Sequence, residues 1–267
     1  MNGVVYYVSG MSYLEPLYVS VWSLRQYYTG LVCVFATSDV YCIVKEGLED
    51  LVDTQLIADA QDTDPTRRDK PTVFQCVNKC FAASQSPFDK TVFLDCDTLI
   101  ESNIDELFQP DIVLTTTYVG GKPTTLNGQS PNALRVLDKL NRIRENSCIL
   151  RPLIHRTFEV DPPLVNVGVF TVSNRTTFMR EWLYLSMVCA QWNIWEEMAA
   201  IAMMGDWIRK VTFFGSEWNA ARKISDEWAK PKKIRHFIQH SWSQSRAWRI
   251  AKRRMLKDAS IRSYNLL

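Results

Sequence analysis

No apolar run in this 267-residue chain comes near the roughly eighteen uninterrupted residues a membrane-crossing helix needs, so no transmembrane helix is expected. No basic segment, long apolar core and cleavage site precede the strand-like run Val4–Val8, and a secretory signal is not expected either. The seven cysteines, at 33, 42, 76, 80, 96, 148 and 189, are odd in number and include no Cys-x-x-Cys pair. Zinc binding and a disulfide framework are therefore not expected; buried free thiols in a reducing cytosol account for them. Histidine is scarce, with three copies at 155, 236 and 240. No internal repeat is found, and no linker that would cut the chain.

What is there is 46% hydrophobic and 22% charged, which excludes disorder and collagen-like or low-complexity architectures and leaves ample material for a core. The formal charge of +2 hides an uneven distribution. Of the 31 basic residues, 11 fall in residues 230–267, against one of the 29 acids, Asp258; the last segment carries +10 and the first 229 residues carry −8. An acidic body repels a phosphate backbone, so nucleic acid is not expected as a partner. The basic segment suits an anionic partner or a membrane surface.

Along the first half, strand and helix signals alternate. Val4–Ser9 reads as a strand, and Leu17, Val21, Leu24 and Tyr28 recur at helical spacing. Leu31–Ala36 is a second strand and Thr54–Ala58 a weaker third; Asp59–Pro71 is a polar loop. Val73–Ala83 is helical and Thr91–Leu94 a short buried strand. This order argues for βαβ units and a mainly parallel sheet. In the second half, Asp111–Thr117 and Leu164–Val172 read as strands, with a long loop from Gly120. Asn174 is placed to cap a helix running to Trp192, and another helix covers Trp195–Met204. Short strands are expected at Val211–Phe214 and Ile234–Ile238.

Two Asp-x-Asp triplets occur, at Asp62–Asp64 and Asp95–Asp97. With 17 aspartates in the chain, chance supplies roughly one, so context must separate them. The first lies in the polar loop, where solvated charge suffices. The second ends an apolar strand, Val92–Leu94, at the edge where open α/β sheets place ligands. Extended geometry through the triplet puts both carboxylates on one face and Cys96 on the other. So close a pair needs a cation, and a hard divalent ion that also touches phosphate oxygens serves.

The segment Val92–Ile100, followed by Asn103-Ile104-Asp105-Glu106-Leu107-Phe108, resembles the signature of GT-A nucleotide-sugar glycosyltransferases, most closely the retaining family 8 that includes glycogenin and bacterial galactosyltransferases. Ser9–Leu24 is similar to that family's nucleotide loop and first helix, Lys79 to its donor-binding cation, Asn166-Val167-Gly168-Val169 to its Asn-small-Gly-Val strand, and Ile234–Phe237 to its late His-Phe segment. The resemblance spans most of residues 3–242. It implies an α/β GT-A (Rossmann-like) fold, a mixed, mainly parallel sheet flanked by helices, with residues 1–242 as the catalytic domain and 243–267 as a basic C-terminal helix and tail.

It further implies a Mn²⁺ or Mg²⁺ ion held by Asp97, Asp95 and His236, with Asp95 alternatively on the ribose. A nucleoside-diphosphate sugar, by resemblance a UDP-sugar, would contact Ser9, Tyr13, Lys79, Asp95, Asn166 and Gly168, and a glycan, lipid-linked or protein acceptor would receive the sugar with retention. Glu196 and Glu197 fall where the family carries an Asp-Gln pair near the reacting sugar. The chain departs from the family there, and again after His236, where Gln239-His240-Ser241-Trp242 stands in place of a Gly and a Lys-Pro-Trp. Each residue also has a plainer reading. Lys79 could face solvent, Glu196 and Glu197 could be a solvated helix face, Tyr13 could be packing, and the eight tryptophans after residue 180 could be mostly core rather than a sugar platform.

A haloacid-dehalogenase-like phosphatase fits less well, because Leu99 stands where that pattern asks for Thr or Val. A nucleotidyltransferase fits poorly, because Ser9-Gly10-Met11-Ser12 is not a cation-bearing glycine loop. A degenerate domain that binds a nucleotide sugar or glycan without turnover is the non-enzymatic alternative. Finally, Ser245–Ser260 reads as a basic amphipathic helix: Trp248, Ala251, Met255 and Ala259 share one face, Arg249, Lys252, Arg253 and Lys257 another. It either packs on the acidic body with a solvated outer face or makes a peripheral membrane contact. A cytoplasmic protein, peripheral at a membrane surface in the second case, is the expected location.

Overall fold

The computed structural model describes residues 1–58, 73–119, 122–148, 150–221, 232–237 and 245–258. Its strands are β1 (Asn2–Val8), β2 (Leu31–Ala36), β3 (Asp53–Leu56), β4 (Lys90–Leu94), β5 (Thr98–Ile100), β6 (Ile112–Thr116), β7 (Tyr118–Val119), β8 (Lys122–Pro123), β9 (Val165–Ser173), β10 (Thr212–Phe214), β11 (Ala220–Ala221) and β12 (Ile234–His236). Its helices are α1 (Leu14–Arg25), α2 (Tyr41–Gly47), α3 (Val73–Ser84), α4 (Pro131–Asn146), α5 (Arg151–Val160), α6 (Phe178–Ala190), α7 (Glu196–Ala202), α8 (Met204–Trp207) and α9 (Arg246–Met255).

Seven strands form one sheet in the order β10-β6-β9-β4-β1-β2-β3. β9 runs antiparallel to both neighbours, β4 and β6, and every other pairing is parallel. The sheet is mixed and mainly parallel, as the alternating elements of the first half predict. Period-2 alternation sends successive side chains to two cores. Val4, Tyr6 and Val8 of β1, Val32 and Val34 of β2, and Val92 and Leu94 of β4 pack on the side of α1, α2 and α9. Val5, Cys33, Phe35 and Phe93 pack on the other side, with α3 through α8. Strands buried on both faces read as continuous apolar runs, which is why β1, β2 and β4 stand out in the sequence.

Three expectations are corrected. The loop from Gly120 gives way at Pro131 to α4, whose Ala133, Val136, Leu140 and Ile143 are buried at helical spacing and whose N-cap, Ser130, accepts from the Ala133 amide (3.1 Å). Asn174 caps no helix: α6 begins at Phe178 after Thr177, and the Asn174 amide group donates to Asp89 (3.1 Å) instead. The cysteines are all free, but Cys42 and Cys148 are exposed. The Asp62–Asp64 triplet and its loop lie outside the described residues, as do His240, Trp228 and Trp242. No helix among the described residues is long and apolar enough to cross a membrane.

Candidate active site

The site grows from the C-terminal edge of β4. The strand stops at Leu94 and the chain turns at once, with the Thr98 amide (3.2 Å) and hydroxyl (2.8 Å) both donating to the Asp95 carbonyl. Extended geometry therefore does not continue through Asp95-Cys96-Asp97. The turn nonetheless keeps the two carboxylates together, while buried Cys96 donates its thiol to the Tyr7 carbonyl (3.0 Å).

β5 leaves this turn and pairs antiparallel with β12, setting His236 opposite Thr98; the Phe237 amide then donates to the Asp97 carbonyl (2.9 Å). That register carries His236 Nε2 to 3.4 Å from Asp95 Oδ2 and 3.2 Å from Asp97 Oδ1. One donor atom from each of the three residues lies within 4.8 Å of the others. The neighbours suit a metal ligand. His236 Nδ1 faces two amide oxygens, Asn219 Oδ1 (2.9 Å) and Asn166 Oδ1 (3.1 Å), so it is the N–H donor and Nε2 turns to the carboxylates. Gly168 makes room for the ring, since a β-carbon there would run into the imidazole. Two hard oxygens and one imidazole are a donor set that Mn²⁺ or Mg²⁺ accepts.

The electrostatics agree. Burial opposes charge on His236, but Asp97 and Asp95 outweigh it and raise its pKa to about 10, so in the metal-free protein an imidazolium balances the pair. Burial likewise opposes ionisation of Asp95, yet Lys79 and His236 hold its carboxyl below the usual range. Lys79 is largely buried on α3, with its ammonium 3.0 Å from Asp95 Oδ1 and 3.2 Å from Glu196 Oε1. This removes the solvent-facing reading of Lys79. Burial disfavours its charge, and the two carboxylates more than restore it.

Glu196 and Glu197 open α7, and neither lies on a solvated face. Glu196 is buried, and its Oε2 has no hydrogen-bond partner among the described residues. Glu197 accepts from Asn166 Nδ2 (3.4 Å); burial, then Glu196, lift its carboxyl to about 7. Tyr13 is half-buried, and burial, then Asp97 and Asp95, push its phenol up, so it stays a neutral hydroxyl beside the pair. Ser9 follows β1 and precedes Gly10, whose φ of 78° is in the region that glycine alone adopts freely. Asp95, Asp97, His236, Lys79, Asn166, Gly168, Glu196 and Glu197 thus come together, with Tyr13 within electrostatic reach.

Sequence reasoning missed Asn219. It is buried, and its Nδ2 donates to Thr115 Oγ1 (2.7 Å), Asn166 Oδ1 (2.8 Å) and the Asn166 carbonyl (3.0 Å) while its Oδ1 holds His236. A lone asparagine in a short irregular stretch carries no pattern that would mark it. Among the tryptophans after residue 180, Trp182, Trp207, Trp218 and Trp248 are buried in the core and Trp192 is exposed.

No protein-family model matches the sequence, and no curated protein sequence is significantly similar to it. Solved structures are. The galactosyltransferase LgtC, solved with donor and acceptor sugar analogues, superposes with a TM-score of 0.60 at 11% identity, over 96% of this chain and 94% of that one. Mouse xyloside xylosyltransferase 1 gives 0.55 at 12%, over 90% of this chain and 99% of that one. The bifunctional glycosyltransferase WbbM gives 0.55 at 13%, over 90% of this chain; the chain spans 46% of WbbM's length. The fold is the GT-A glycosyltransferase fold, as the Asp95 segment predicts.

Proposed function

We propose that the chain is a metal-dependent glycosyltransferase that moves a sugar from a nucleoside-diphosphate sugar, in our reading a UDP-sugar, to a glycan, lipid-linked or protein acceptor with retention of configuration. The observation that carries the reading is the Asp95–Asp97–His236 donor set at the edge of β4 in a GT-A fold. Asp97 and His236 Nε2 would hold a Mn²⁺ or Mg²⁺ ion, with Asp95 shared between the ion and Lys79. A bound divalent ion supplies Lewis-acid stabilisation of the charge that grows on the leaving diphosphate.

The chain's own residues supply the rest. Ser9 and Tyr13 border the place for the nucleotide, and Tyr13, as a neutral phenol, can stack or donate. Lys79 keeps Asp95 ionised and offers a fixed positive charge to the diphosphate side. Asn166 and Gly168 form the floor of the sugar pocket. Glu196, with one carboxylate oxygen on the Lys79 ammonium and the other without a hydrogen-bond partner among the described residues, would accept from a sugar hydroxyl; Glu197, poised near neutrality, can hold or release a proton at the acceptor side. In this reading the protein works in the cytoplasm, and a membrane contact through α9 brings it to a lipid-linked acceptor.

The test is hydrolysis or transfer of UDP-sugars by the purified protein with and without Mn²⁺. Metal-dependent turnover that falls at least about 100-fold in Asp97→Asn, with an unchanged circular dichroism spectrum, is the expected result. Full activity in that variant would remove the metal assignment. Binding without any turnover would favour a degenerate domain, and an inverted product seen by NMR would overturn retention.

A further inference from the structure

Outside the site, the strongest feature is α9. Its inner face is settled: Trp248, Ala251 and Met255 are buried against α1, Trp248 meets the Phe237 ring edge-on at 5.1 Å, and Lys252 pairs with Glu15 at 2.7 Å. The helix is thus preformed and anchored, capped by Ser245, whose hydroxyl accepts from the Trp248 amide.

The outer face is different. Arg246, Arg249 and Arg253 stand at i, i+3 and i+7, with Lys257 in the terminal turn at i+11, so the four make one row down the exposed side; Arg254 lies beside it. All five are exposed, and none forms an ion pair among the described residues. Arg249 and Arg253, and Arg253 and Lys257, are like charges at i,i+4, which repel one another along the helix. Two large apolar side chains flank the row and project into solvent, Ile250 (40% exposed) and Leu256 (50% exposed). The inner face already supplies the helix with its packing, so neither the row of cations nor the exposed Ile250 and Leu256 serves the fold.

We infer that the outer face of α9 is a docking surface for an anionic lipid bilayer. The arginines and Lys257 sit at the phosphate level, and Ile250 and Leu256 enter the boundary between headgroups and acyl chains. Charge complementarity selects the bilayer over nucleic acid. The first 229 residues carry −8, so a polyanion wrapping the molecule would meet repulsion beyond α9, whereas a flat anionic surface touches α9 and leaves the body in solution. The same repulsion orients the protein, holding the acidic body away from the surface. The inference deepens the membrane contact of the proposed function by giving it a surface and a lipid chemistry, while docking itself needs neither metal nor nucleotide.

The experiment is co-sedimentation of the full chain, without nucleotide or metal, with vesicles of phosphatidylcholine alone or mixed equally with phosphatidylglycerol. Binding to the mixed vesicles only, weakened by salt, is expected. Arg249→Gln/Arg253→Gln should weaken it about 25-fold, at roughly fivefold per cation, and Ile250→Ser/Leu256→Ser should weaken it separately. All four positions are exposed, so the variants keep the fold, which thermal melting checks. Asp97→Asn should bind vesicles like the parent, which separates this inference from the transferase reading. Equal binding to both vesicle types, or binding indifferent to both double variants, would overturn it. So would capture of RNA but not of vesicles through the same arginines.

Discussion

At the scale of single residues, the site is built from side chains whose types are informative and others whose types are not. Asp95, Asp97 and His236 are legible in the sequence: the pair ends an apolar strand, and histidine is scarce enough that one at a short late strand draws attention. Asn219 is invisible there, although it fixes the tautomer of His236 by offering an amide oxygen at 2.9 Å. Asn219→Leu keeps the branching at Cγ and removes both the acceptor and the donors to Thr115 and Asn166. Such outer partners typically matter about 10–100-fold for a bound metal. Calorimetric titration of Mn²⁺ into the variant should show a loss of that size; an unchanged affinity would mean that β12 alone positions the imidazole.

Glu197 supplies a second prediction at this scale. Burial and the neighbouring Glu196 raise its carboxyl from 4.5 to about 7. Between those values the folded protein holds a proton that the unfolded chain has released, so stability falls as pH rises through the window and levels off above it. The loss is at most about 3 kcal/mol. Glu197→Gln removes the titration. In metal-free protein, the variant should melt within a degree or so of the parent near pH 4 and several degrees above it near pH 8. A gap that does not change with pH would show an ordinary carboxyl.

At the scale of elements, what could be read depends on which periodicity each element shows. β1, β2 and β4 are buried on both faces and read as apolar runs; α9 shows a buried stripe, whereas α1 is buried on nearly every side. The Asp-x-Asp turn and the pairing of β5 with β12 could not be read, because two three-residue strands 134 positions apart are fixed by tertiary register rather than local pattern. Yet that pairing delivers His236. α9 supports it from behind, through Trp248 against Phe237. Trp248→Ala, at a side chain 1% exposed, should cost about 3–5 kcal/mol in urea unfolding. Arg249→Gln on the outer face should stay within about 0.5 kcal/mol. If the two variants unfold alike, α9 is not packed as described.

At the scale of the whole molecule, the site joins segments far apart in the chain: Lys79 on α3, the turn after β4, Asn166 and Gly168 on β9, Glu196 and Glu197 on α7, and His236 on β12. The first half was legible because β1, β2 and β3 are each followed by a helix, α1, α2 and α3. The second half was harder, because β9 inserts antiparallel between β4 and β6 and so breaks that order. A ligand that bridges such segments binds the native state alone and must therefore stabilise the entire fold. At a hundredfold excess over its dissociation constant it contributes about 2.7 kcal/mol, which for a chain of this size is a rise of roughly 5–10 °C in Tm. Mn²⁺ together with the matching UDP-sugar should produce that rise in thermal melts, the metal chelator EDTA should abolish it, and Asp97→Asn should show none. A rise that survives both EDTA and the substitution would place the ligand elsewhere on the molecule, because among the described residues Asp95, Asp97 and His236 are the group that could hold a metal ion.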